Sequence, residues 1–91
     1  MESWENKPVW KEPTWEPLER IIGRQNLPAF MYMGEAQRGE KRIVLYKHIG
    51  TRSYLNLDEE GGAYRYTTSG YVPIPLDQAL AHAYGMPALP G

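Results

Sequence analysis

Turn signals stand at four places between Arg38 and Gly70: Arg38-Gly39-Glu40, Gly50-Thr51, Asp58 to Gly62, and Thr68-Ser69-Gly70. Segments rich in aromatic and β-branched residues separate them. Connections this short make consecutive strands antiparallel neighbours. The strands expected are Ala29 to Gln37, Arg42 to Ile49, Arg52 to Leu57 and Ala63 to Thr67. Tyr71 to Ile74 adds a short edge strand, because Pro73 is excluded from a central one. Gly50-Thr51 fits a two-residue type II′ turn, and Asp58 to Gly62 reads as a longer, solvated hairpin tip.

Two helices flank this run. Leu18, Ile21 and Ile22 fall at i, i+3 and i+4, one apolar stripe, behind Thr14 as N-cap with Pro17 in the first turn. That helix is expected over 15–24. Leu76, Ala79, Leu80 and Ala83 line a second helix over 76–84, with Gly85 at the C′ position and Pro87 beyond it. The fold class is therefore α+β: a four- to five-stranded antiparallel meander flanked by an N-terminal and a C-terminal short helix. Both helices should cover one sheet face or one end.

Ninety-one residues make one domain, burying roughly 60–65% of its unfolded surface. The organisation expected is a Trp/Pro-rich arm over 1–14, an α+β domain over 15–85 and a short tail over 86–91. Trp4 and Trp10 lie in the arm among charged residues, with Pro8 and Pro13 breaking any helix. The arm either packs back over the domain or docks on another protein. There is no cysteine, which excludes a disulfide framework, thiol catalysis and thiolate metal sites. No apolar run approaches the ~20 residues that span a bilayer, and no signal peptide is visible, so a soluble cytoplasmic protein is expected.

Strand alternation sorts the side chains into two sets. Ile43, Leu45 and Ile49, with Leu55 and Leu57, are the core candidates. Arg42, Val44, Tyr46 and His48, then Arg52, Tyr54 and Asn56, form the opposite, outward set. With Tyr64 and Tyr66 facing inward, Arg65 joins the outward one. Tyr46, Arg52, Tyr54 and Arg65, together with Trp4 and Trp10, are the candidate binding residues, because aromatic and arginine side chains dominate interface hot spots. On the first strand, Phe30 and Tyr32 take one side and Met31 and Met33 the other. Both sides are apolar, as expected of a strand covered twice.

Catalytic constellations are missing from the sequence. No serine sits in a nucleophile elbow, neither His48 nor His82 has a second ligand at metal-binding spacing, and Asp58-Glu59-Glu60 lacks the calcium-loop pattern. No enzyme, cofactor or metal is expected. The function read from the residues is a small non-enzymatic adaptor or regulatory domain that binds another protein. The alternative is nucleic-acid binding through the basic and aromatic band 38–54, which carries a charge of +4 in a chain of net −1. A homodimer through the edge near Tyr71 or an exchanged arm is the third arrangement.

Overall fold

The computed structural model describes residues 13–86. Five strands form one antiparallel sheet in sequential order: β1 (Phe30–Arg38), β2 (Lys41–His48), β3 (Tyr54–Asp58), β4 (Ala63–Thr67) and β5 (Gly70–Ile74). Helix α1 (Glu16–Ile22) precedes the sheet and α2 (Leu76–Ala83) follows it. A 3-10 segment, Arg24–Ala29, joins α1 to β1. The expected meander with a helix before and after it is what the chain forms.

Both helices lie on one face. Leu18 of α1 and Ala79 and Ala83 of α2 share a buried cluster with Phe30, Val44, Tyr46, Leu55, Leu57 and Ala63. The alanines let α2 approach the sheet closely. Gly85 ends that helix in the left-handed conformation (φ 71°), its N–H bonding the His82 carbonyl and the Met86 N–H bonding that of Ala81. This is a Schellman motif, which only a residue tolerant of positive φ completes cheaply. Helix α1 starts differently from expectation. Its N-cap is Trp15 with no side-chain cap, and Thr14 contributes its backbone carbonyl, which accepts the Tyr46 hydroxyl.

The register corrects the sorting of β2. Tyr46 stands opposite Leu55 and Val44 opposite Leu57, while Leu45 faces Asn56 and Ile43 faces Asp58. Directly paired residues share a face, so Val44 and Tyr46 turn to the helices with Leu55 and Leu57. Tyr46, expected outward, is fully buried. Its ring stacks on Trp15 with centroids 5.5 Å apart, and its one polar group is satisfied, which is what a buried tyrosine requires. Burial drives its hydroxyl well above the ordinary phenol range. Ile43 is buried on the opposite face, and Ile49, expected in the core, lies 48% exposed beyond the end of β2. Likewise Tyr64 and Tyr66, expected inward, pair toward the face away from the helices, through Asn56 and Tyr71, and alternation turns Arg65, expected outward, to the helix side with Ala63.

A bulge at Met33 shifts the register of β1. It places Tyr32 and Glu35, three residues apart, on the same side, and the Tyr32 hydroxyl donates to Glu35 at 3.1 Å. Regular alternation would separate them. Phe30 is buried and Tyr32 partly buried on the helix side; Met31 and Met33, expected to be covered on the other side, are exposed.

The β3–β4 hairpin is built around Asp58, which is buried rather than part of a solvated tip. Its Oδ1 accepts the N–H groups of Glu60 and Gly62, each at 2.8 Å, and its Oδ2 accepts the Tyr64 hydroxyl at 2.7 Å. A Cβ on Gly62 would meet Oδ2 at 2.6 Å, so glycine is needed there for close approach. Burial alone pushes the Asp58 carboxyl up. The Tyr64 hydroxyl, the two N–H groups and Lys41 outweigh it and hold the carboxyl below its ordinary 3.8. A carboxylate depressed in the folded state stabilises above its unfolded value, and that contribution is lost as pH falls through the folded one. Asp58→Asn should cost about 1–3 kcal/mol at neutral pH and flatten the acid limb of stability below pH 3.8. Urea midpoints measured from pH 7 to pH 2 check both effects; parallel curves for the two proteins would exclude this role.

Candidate functional site

Strands β3 and β4 pair only through Asn56–Tyr64 and Leu57–Ala63. Continued in the same register, Tyr54 would meet Tyr66, but the strands diverge first. Each keeps its other neighbour: β3 holds β2 as far as Lys47–Tyr54, and β4 holds β5 along its whole length. In an antiparallel ladder successive residues direct their N–H and C=O groups to alternate neighbours. Asn56 and Tyr64 face each other, so Tyr54 and Tyr66 also direct their main-chain groups into the gap.

The opening is a cleft of about 590 Å³ lined by Tyr54, Tyr64, Tyr66, Tyr71, Leu45 and Asn56, with Gln78, Ala79 and His82 of α2 at its floor and Arg52 and Arg65 at its sides. The Tyr66 and Tyr71 rings lie 4.9 Å apart. Burial first, and then the neighbouring phenols of Tyr66 and Tyr54, raise the Tyr71 hydroxyl above its ordinary 10.0. Tyr71 is thus a protonated donor at neutral pH. The sheet curls toward this side. Arg38, at the end of β1, lies 5.8 Å from the Tyr64 ring centroid and donates to the Tyr71 carbonyl of β5 at 2.7 Å. First and last strands are thereby tied across the concave face.

Two features of the cleft depart from ordinary stability rules. Asn56 is 5% exposed; its Nδ2 donates to the Tyr64 carbonyl at 3.3 Å, but its Oδ1 is buried with no donor. Arg52 holds φ 67°, the one positive φ on a residue other than glycine among the described residues. It closes the β2–β3 loop, where its N–H bonds the His48 carbonyl and the His48 N–H bonds the Ser53 carbonyl, each at 2.8 Å. This four-residue connection replaces the two-residue Gly50-Thr51 turn expected. His48 Nδ1 accepts the N–H groups of Gly50 and Thr51, and its ring packs edge-on against Phe30 and Tyr84. His48 therefore organises the loop on the helix side and does not join the outward set.

The charges of the basic band are mostly occupied. Lys41 pairs with Glu60, and Arg42 with Glu35 and Glu59. Lys47 lies over the Tyr54 ring, and outside the band Arg20 and Arg24 pair with Glu16 and Glu19. Arg52 and Arg65 are the lysine or arginine side chains among the described residues left without such a partner. Both line the cleft.

Of the binding residues expected from sequence, Arg52, Tyr54 and Arg65 converge here. Tyr46 belongs to the core, and Trp4 and Trp10 lie outside the described residues. Tyr66, Tyr71, Gln78 and His82 were not expected at the site. The hairpin turn at Thr68-Ser69 already sets Tyr66 opposite Tyr71, and Gln78 and His82 are one helical turn apart. Among the described residues, no three His, Asp or Glu side chains gather as a metal site would require, and no helix is long and apolar enough to cross a membrane. The chain matches no protein-family model, no curated protein and no solved structure.

A left-handed arginine costs about 1 kcal/mol relative to a residue at ease there. Arg52→Gly should therefore raise the urea midpoint or leave it unchanged. A clear loss of stability would show instead that the arginine side chain holds the loop.

Proposed function

We propose that this domain is a small cytoplasmic protein-binding module of adaptor or regulatory kind, with the tyrosine-lined cleft as its contact site and no catalytic step of its own. The observation that carries this reading is the meeting of the two unpartnered arginines with Tyr54, Tyr66 and Tyr71 in one concave site. Arginine and tyrosine are the side chains from which interface hot spots are built, and a pocket centre excludes the water that would weaken their contacts. The cleft volume also lies in the range that holds a bound group firmly. Absence of cysteine from the chain is compatible with a reducing compartment.

The pairing within the basic band favours protein over nucleic acid. Lys41 and Arg42 are already paired with Glu35, Glu59 and Glu60, which takes two of the five cations of the band 38–54 away from a phosphate backbone. The Arg52→Ala/Tyr54→Ala double variant should keep the wild-type fold and unfolding curve, since both side chains are exposed. It should lose the proteins that the wild-type domain captures from nuclease-treated lysate of its source cells. Retention of those proteins by the folded double variant would defeat the assignment. Fluorescence anisotropy with labelled DNA and RNA oligomers supplies the contrast. Affinity that falls steeply between about 50 and 200 mM salt would establish the nucleic-acid reading in its place.

A further inference from the structure

We propose that the cleft receives an extended acidic segment of another protein, which enters between β3 and β4 as an added strand. This rests on the protein-binding reading above and names its ligand. Strand addition is indicated by the kind of valence left open. Tyr54 on β3 and Tyr66 on β4 present main-chain N–H and C=O groups toward each other across a gap that their own register leaves unbridged. An inserted strand satisfies both edges at once, as in other cases of peptide recognition by sheet augmentation. A helix cannot do so, because its main-chain groups are bonded internally.

Asn56 gives a second, independent indication. At the closed end of the gap it is 95% buried (5% exposed) and its Oδ1 has no donor. An orphan acceptor of this kind is costly; Oδ1 is closed to solvent in the free domain, and an N–H that parts the strands at this end relieves it. Beyond the Asn56–Tyr64 pair the open end runs along two residues of β3, Tyr54 and Leu55, and three of β4, Arg65 to Thr67. The side-chain chemistry of the segment follows from the walls. Tyr54, Tyr66 and Tyr71 offer apolar rings with donor hydroxyls on one side of an inserted strand. Arg52 and Arg65 bring positive charge with no internal anion to neutralise it. A segment alternating an apolar residue with a glutamate or aspartate matches both walls through the period of two. Ala79 of α2 lines the cleft on the helix side.

The test is selection of a fully randomised heptapeptide display library on the full 91-residue chain. Enriched sequences should carry at least one acidic residue next to an apolar or aromatic one. N-methylation of a central residue, which deletes one main-chain donor, should weaken the best peptide at least tenfold. Arg65→Glu should weaken it at least tenfold, and a lysine-for-glutamate peptide should recover binding to that variant. Amide exchange of Tyr54 and Tyr66 should slow at least tenfold in the complex. Enriched peptides that are basic, or that tolerate every N-methylation and bind Arg65→Glu unchanged, would overturn strand insertion while leaving protein binding intact. A library that yields no binder at all would overturn both.

Discussion

The buried carboxylate of Asp58 sets the geometry on which the site depends. It gathers two loop N–H groups and the Tyr64 hydroxyl, so the β3–β4 hairpin is tied at its turn. From outside, Arg20 donates to the Glu59 carbonyl, Arg42 pairs with the Glu59 carboxylate and Lys41 with Glu60. Exposed ion pairs contribute little singly. Two of them, with the Arg20 hydrogen bond, nonetheless hold this short loop in register with α1 and the start of β2. With that end fixed, the strands are free to diverge at the other without losing their pairing altogether. A hairpin closed by a flexible acidic loop would slide or zip, and no cleft would persist.

The remaining architecture keeps the divergence from spreading. On the helix side, α2 packs against both strands through small residues, so the gap has a floor rather than running through the domain. On the concave side, Arg38 crosses from β1 to the Tyr71 carbonyl on the last strand. That contact covers part of an edge that would otherwise offer unpaired groups to any passing strand. One main-chain acceptor on the outer edge of β5 is thus covered, while the gap between β3 and β4 stays open.

Three departures from local folding rules gather around this cleft. Arginine occupies a left-handed position that glycine would fill without strain, an asparagine oxygen is buried without a donor, and strand edges stop short of pairing. Each is unfavourable for folding, by roughly 1–3 kcal/mol where such effects are measured. Conflicts of this kind concentrate at sites kept for function. Tyr46 offers the contrast. It is a large polar-tipped residue deep in the core, yet its hydroxyl bonds the Thr14 carbonyl and its ring stacks on Trp15, so nothing about it is left open to a ligand.

Sequence alone determined the element types and their order. Turn residues, proline positions and apolar stripes are short-range signals, and short loops allow only antiparallel neighbours. It also held more of the register than polarity suggests. A turn centred on Gly50-Thr51 already sets Tyr46 opposite Leu55, as observed, whereas grouping by hydrophobicity sets Leu45 there. Alternation defines two faces but not which one meets the helices, because both sets on β2 are apolar enough for a core. Tertiary packing decided that question in favour of Val44 and Tyr46, through Trp15, Leu18 and the close approach of Ala79 and Ala83. It alone decided that β3 and β4 part after Asn56, and that Arg52 and Arg65 remain without anions while Lys41 and Arg42 are paired. These outcomes depend on contacts between residues far apart in the chain, which no local pattern encodes.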